Sequence, residues 1–236
     1  GTDGLLMVDP EDINTLRLDF SVLPAEVAAG IDDTYLDENN FMKVKKFEGV
    51  REKHAFVFAG QSNMIGRATF DNGTTHPSNV YMYNQAGNLV SPTNPLDHVD
   101  PQAGDMGLDI TFCRQYMIAN PNVDMILIPV AEGGTGFATN EWNVGDTTYE
   151  NCVSQINGAF NDITGLQMKG FLWHQGEADK SPTNRANYPT AWNAMMTNLI
   201  SRTAVTAETP TILGGLYANG SDAAAMDIVL EGVADA

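Results

Sequence analysis

The sequence predicts an α/β fold, a mostly parallel sheet covered by helices on both faces. Three observations predict it. From His54 onward, apolar runs of strand length alternate with amphipathic runs of helix length. Each apolar run then breaks into glycine and polar residues: GQSNM, AEGGTG, HQGEAD and GGLYANG. Ligands of open parallel sheets bind just past such carboxyl ends. Finally, 236 residues at 43% hydrophobic suffice for one sizeable sealed core.

The elements follow in order. HAFVFA, His54–Ala59, is an apolar run of buried-strand character. NVYMYNQAGNLV holds two β-like runs around NQAGN, a hairpin pattern. GLDITFCRQYMIAN reads as an amphipathic helix ended by Asn120-Pro121. VDMILIPVAEGG is a strand running into glycines, and TTYENCVSQINGAFNDI a helix. MKGFLWHQGEAD is a strand that breaks into polar residues. NYPTAWNAMMTNLISRT reads as a helix with Pro189 in its first turn, where proline is tolerated. TPTILGGL is one more strand, and SDAAAMDIVLEGVADA a helix opened by a Ser/Asp cap. No internal repeat or low-complexity tract interrupts the series.

Residues 1–50 stand apart from the domain at 51–236. They are acidic, weakly periodic and broken by Pro10, Pro24 and Gly30. They read as an extended arm, a linker or an attachment segment, with the basic run KVKKF as a solvated strand edge.

Composition bounds the partners. A formal net charge of -18 repels nucleic-acid phosphates and anionic lipid, and it suits a neutral partner such as a sugar. It also has a plain reading, as a device for solubility. No apolar run approaches the ~20 residues of a membrane span. Cys113 and Cys152 both fall in helical segments and read as buried free thiols, though their count also allows one disulfide. The four histidines, His54, His76, His98 and His174, lack metal-ligand spacing, and no dinucleotide fingerprint follows the first strand. Neither metal nor cofactor is expected.

Chemistry concentrates at the strand ends. Ser62, just past the first strand, is either a helix N-cap or a nucleophile facing free helix N–H groups. The cluster WHQGEAD, Trp173–Asp179, favours the second. Gln175 can aim an amide N–H at a developing oxyanion. Glu177 can orient a histidine or hold a loop by accepting backbone N–H bonds, and Asp179 can cap the next turn. Side-chain alternation turns His174 away from Gln175, which makes it a core histidine. Gly107, before a helix, lets a substrate approach bare backbone N–H, or it serves a tight turn. EGGTG has the make-up of an anion nest of backbone N–H groups, but lacks the lysine of a phosphate loop. Trp142 offers a ring to stack on a sugar, or a core side chain.

Together, AGQSNMIG, NPLDHVDPQAGDMGLDITF, EGGTG with EW, and FLWHQGEAD resemble the SGNH/GDSL hydrolase superfamily. More closely they resemble its carbohydrate acetylesterase branch, the sialate O-acetylesterases and acetylxylan esterase-like enzymes of carbohydrate esterase family 6. The resemblance runs from about Phe56 to Leu216. It implies a three-layer α/β/α, flavodoxin-like fold. It also implies Ser62 as nucleophile, Gly107 and Gln175 as oxyanion donors, and Asn63, Thr135 and Trp142 as substrate-binding residues. The implied partner is an acetylated carbohydrate.

One departure stands out. Such enzymes take their base and its acid from an Asp-x-x-His near the carboxyl end, and no histidine follows His174 here. A serine hydroxyl without a base is a poor nucleophile. The expectation is that the chain is an excerpt, starting at Gly1 rather than Met, whose last strand and catalytic loop lie beyond Ala236. His98 is the fallback base. Two functions follow: a serine carbohydrate O-acetylesterase, or a glycan-binding or structural module that keeps the esterase fold without turnover. Either would belong outside cells or on a virion, with residues 1–50 as the joint to a larger chain or assembly.

Overall fold

The computed structural model describes residues 6–8, 16–19, 41–43, 51–69, 75–100, 105–216 and 220–234. The chain divides into two compact units, Gly1–Arg51 and Glu52–Ala236. In the first unit, three short strands, β1 (Leu6–Val8), β2 (Leu16–Asp19) and β3 (Phe41–Lys43), pair antiparallel in the order β1-β2-β3. The sequence reads this segment as an extended arm, a linker or an attachment segment; strands this short leave no periodicity to read. Most of the basic run KVKKF lies outside the described residues.

The second unit carries the predicted α/β fold. Its elements are β4 (Glu52–Gly60), α1 (Ser62–Ile65), β5 (Ala68–Thr69), β6 (Val80–Tyr83), β7 (Leu89–Val90), β8 (Asp105–Met106) and α2 (Asp109–Ala119). Then come β9 (Val123–Pro129), α3 (Thr147–Asp162), β10 (Leu166–His174), α4 (Pro182–Arg202), β11 (Thr211–Leu213) and α5 (Ser221–Ala234). Six strands form one sheet in the order β11-β10-β4-β9-β6-β7. Neighbours from β11 to β6 pair parallel, and only the β6–β7 hairpin is antiparallel. β5 and β8 form a separate two-stranded ribbon.

Alternation along the central strands feeds two cores. From β4, Ala55, Val57 and Ala59 point to one face, and Phe56 and Phe58 to the other. The first face is covered by α3, α4 and α5 through Tyr149, Ile156, Trp192, Met195 and Met226, all nearly inaccessible. The second is covered by α1 and α2 through Met64, Ile65 and Cys113. Phe56 meets Phe112 and Tyr116 of α2 edge-on, with ring centroids 5.1 and 4.7 Å apart. Cys113 and Cys152 are free and lie on opposite faces. Burial pushes the Cys152 thiol up to about 12, which makes it a packing residue.

α4 departs from the sequence reading. It starts at Pro182, not near Asn187, because Ser181 caps it, accepting from the Asn184 N–H at 3.4 Å. Proline at the first helical position completes that start signal. Pro189 therefore sits inside the helix rather than in its first turn. Among the described residues no helix is long and apolar enough to cross a membrane.

β4 pairs with β10 to its last residue, Gly60 opposite His174. Gly60 has φ +130°, and a Cβ there would lie 2.2 Å from the His174 carbonyl oxygen. Gly60→Ala should therefore cost about 3 kcal/mol or more, through strain and overpacking together. Urea unfolding measures it; a loss below about 1 kcal/mol would show that the two strand ends can part.

Candidate active site

The site begins where β4 runs out. The Gln61 N–H donates to the His174 carbonyl at 2.9 Å, which ties the ends of β4 and β10 together. The Gln61 carbonyl then accepts from the N–H groups of Met64 and Ile65 at 2.9 and 3.2 Å, starting the single turn of α1. Gln61, not Ser62, holds the cap position, and its side chain makes no capping bond. Ser62 is the first helical residue and half-buried. Among the described residues nothing hydrogen-bonds its hydroxyl. The capping reading of Ser62 is thereby set aside.

Gly66 and Gly107 bring the predicted glycine block against this turn. Gly66 has φ +117°, and a Cβ on it would lie 2.4 Å from the Gly107 nitrogen. A Cβ on Gly107 would meet Asp109 Oδ1 at 2.8 Å and the Ile65 carbonyl at 3.0 Å. Bare backbone is thus required on both sides of the contact. Ala68 pairing with Met106 continues it into the ribbon.

Beside this contact lies an open cleft of about 480 Å³, lined chiefly by Asn63, Arg67, Gly107, Leu108, His174 and Leu216. Asn63 is fixed there by Glu177: its amide donates to Glu177 Oε1. Glu177 is thus an orienting carboxylate, but for Asn63 rather than for a histidine.

Alternation at the end of β10 holds, with an unexpected consequence. Leu172 and His174 share the α1/α2 side, where the cleft is, whereas Phe171 and Trp173 face the other core. His174, read as a core histidine, lines the cleft. Gln175 is wholly buried, and its amide nitrogen donates to Asp179 Oδ2 at 2.7 Å, the Thr135 carbonyl at 3.2 Å and Gln61 Oε1 at 3.4 Å. Both amide hydrogens therefore have internal acceptors. In this arrangement Gln175 braces the loops instead of presenting a free oxyanion donor.

Asp179 does more than cap a turn. Its carboxylate accepts from the Phe137 and Ala138 N–H groups at 3.0 and 2.9 Å. The loop after EGGTG does gather backbone N–H groups around an anion, and the anion is the protein's own carboxylate. Thr135 is buried, donating to the Glu132 carbonyl at 2.7 Å and accepting from Trp142 Nε1 at 2.9 Å. Trp142 is 0% exposed and packs edge-on against Trp173 at 4.7 Å. Neither can touch a substrate here. The aromatic ring expected to stack on a sugar is a core side chain.

His98 is also buried. The Ala131 N–H donates to its Nδ1 at 3.0 Å, which puts the ring proton on Nε2. Burial lowers its pKa to about 3. A ring with its acceptor nitrogen occupied and so low a basicity is ill suited to be the fallback base. His76 forms the one buried His–Asp pair among the described residues, Nε2 to Asp109 Oδ2 at 2.6 Å. It lines a different cleft, with Ser78, Ser91 and Asn94. The sequence marks neither this pair nor the full role of Asp179; the only signal was an acidic residue at a helix start or strand end.

The profile of a carbohydrate esterase family, described as sialic acid-specific acetylesterase (SASA), matches residues 52–232. Among curated proteins none matches the sequence. Among solved structures, a protein of Arabidopsis thaliana superposes with TM-score 0.67 at 20% identity, covering 76% of this chain and 81% of that one. NanS superposes with TM-score 0.65 at 15% identity, covering 78% and 72%. At these identities the two likenesses speak to the fold alone.

Two stability measurements follow. Asp179→Ala leaves the buried Phe137 N–H without its acceptor and removes those of the Ala138 N–H and one of the three of Gln175, and should cost about 2 kcal/mol or more in urea unfolding; Asp179→Asn, which keeps one acceptor oxygen, should cost less. For His98, the unfolded chain takes up a proton near 6.5 and the folded one only near 3. Stability should therefore fall as pH drops through that window, by up to ~1.4 kcal/mol per pH unit. Unfolding of His98→Gln between those limits should show a shallower fall than wild type; equal slopes would remove His98 from the account.

Proposed function

The chain belongs to the carbohydrate esterase family of sialic acid-specific acetylesterases, and we propose that it is a serine carbohydrate O-acetylesterase with Ser62 as nucleophile. One observation carries the reading: Ser62 opens the turn one residue past the central strand with its hydroxyl committed to no cap, and its neighbour Asn63 lines an open cleft.

In the proposed reaction Ser62 Oγ attacks the acetyl carbonyl carbon and gives its proton to a base. The carbonyl oxygen becomes an oxyanion held by the backbone N–H groups of Ser62 and Gly107; losing one such donor typically costs ~2.7–4 kcal/mol of barrier. The C–O bond to the sugar breaks, the sugar oxygen takes the proton, and acetyl-Ser62 remains. Water then attacks that ester, releasing acetate and restoring the serine. Gln175 and Asp179 keep the loops behind the serine rigid, and Glu177 holds Asn63 toward the cleft. The family's description makes an O-acetylated sialic acid the first substrate to assay.

A second reading is a glycan-binding module without turnover. It is favoured by one fact: among the described residues no histidine hydrogen-bonds the Ser62 hydroxyl. The two readings part in one experiment. With the esterase, acetate release from an acetylated sialic acid should fall by ~10³-fold or more in Ser62→Ala. Mass spectrometry of protein quenched in turnover should place an acetyl group on Ser62. Equal hydrolysis by the variant would remove Ser62 as nucleophile, and sugar binding without hydrolysis by either protein would establish the module.

A further inference from the structure

The buried pair of His76 and Asp109 lines no part of the cleft beside Ser62, yet one member of it abuts Gly107. Asp109 opens α2 and is 2% exposed. Its Oδ2 meets His76 Nε2 at 2.6 Å, and among the described residues no other hydrogen bond reaches its side chain. A carboxylate only accepts, so Nε2 carries the hydrogen. A Cβ on Gly107 would lie 2.8 Å from the other oxygen, Oδ1. The carboxylate therefore rests flush on the Gly107 α-carbon.

Gly107 is thus walled on two sides. On one, a Cβ on Gly66 would come within 2.4 Å of its nitrogen. That wall is backbone. The other wall is the Asp109 side chain, which has rotamers of its own and stays in place only if something holds it. His76 holds it, and His76 stands on a segment anchored to the sheet. The Pro77 and Asn79 carbonyls accept from the N–H groups of Val80 in β6 and Met125 in β9, at 3.2 and 2.9 Å. The Thr75 carbonyl accepts from Arg114 of α2 at 3.0 Å, a second tie between the same segment and the same helix. A chain of contacts so runs from the sheet through His76 and Asp109 to Gly107.

We propose that His76 is a positioning residue for the esterase reaction: by donating to Asp109 it keeps that carboxylate against Gly107, and so fixes the Gly107 N–H that holds the oxyanion. A donor aimed at developing charge works best when its position is set beforehand by surrounding hydrogen bonds. Without the imidazole, Asp109 is a buried carboxylate lacking its donor. It then turns toward water, and Gly107 loses one wall. The inference rests on the esterase reading for the role of Gly107, but the strut has a test of its own.

Wild type, His76→Leu and His76→Gln are compared on O-acetylated N-acetylneuraminic acid and on p-nitrophenyl acetate, with rates taken per folded molecule. Leucine fills similar space without a donor; the glutamine amide N–H can stand where Nε2–H stood. On whichever ester the wild type hydrolyses, kcat should fall about tenfold or more in His76→Leu, with KM changed by less than about twofold. His76→Gln should recover most of the loss. A wild-type kcat in His76→Leu, a loss confined to KM, or equal losses in both variants would overturn the proposal. Should His76→Leu fail to fold, the double variant His76→Leu/Asp109→Ala, which strands no carboxylate, takes its place with the same outcomes. If the wild type hydrolyses neither ester, the esterase reading fails by itself, and NMR relaxation of the Gly107 amide decides the strut. Its order parameter should be about 0.85 in wild type and His76→Gln and below about 0.6 in His76→Leu; an unmoved value overturns the strut.

Discussion

The site depends on the parallel pairing of β4 with β10 carried through to its last residue. Gly60 and His174 come so close that no side-chain carbon fits between them. Everything downstream inherits that contact. The Gln61 N–H reaches the His174 carbonyl, the chain turns into α1, and Ser62 emerges as its first residue. Gly66 then lets the end of the turn rest on Gly107. These are backbone-on-backbone contacts, and backbone has no rotamers to lose, so the position of Ser62 is set with little conformational freedom.

The end of β10 divides the work by parity. Odd positions continue into the core behind the sheet, where Trp173, Trp142 and Trp192 meet and Gln175 joins Asp179. Of the even positions, Leu172 joins the core under α1 and α2 and His174 lines the cleft. Asp179 is the counterweight of this arrangement. A glycine-rich loop that collects N–H groups attracts an anion. Supplying that anion from within closes the loop to phosphate or carboxylate ligands and leaves it rigid. The polar residues past β10 thus split into a sealed scaffold and an accessible wall within a few residues of each other.

Much of this was legible in the sequence. The order of strands and helices, the hairpin around Asn84–Asn88 and the two-sided cover followed from apolar runs and their periods, because burial on both faces leaves that mark. The neighbourhood of Ser62 and Gly107 was legible in motif blocks. What the sequence hid was direction. Alternation said that His174 and Gln175 face opposite ways, but not which way the cleft lies; that depends on α1 and α2 packing on the side of Phe56 and Phe58. Trp142 and Thr135 looked like binding residues since a strand end collects both ligand contacts and the bonds that brace loops, and residue type does not separate them. The start of α4 was misjudged because Pro189 was read as the opening proline, when Ser181-Pro182 carried the stronger signal.

On the proposed esterase reading, the division between scaffold and wall also separates what fixes the reaction from what selects the substrate. An acetyl group is small and uncharged, so a nucleophile and backbone donors suffice to hold its reacting atoms; these sit on contacts that tolerate no added carbon. The remainder of the substrate has to be distinguished by its hydroxyls and shape, on a cleft wall built of side chains, Asn63, Arg67, His174 and Leu216 among them. Side chains on an open wall can be exchanged without disturbing the pairing of β4 with β10. A fold arranged this way can change the sugar it accepts while keeping the serine where it is.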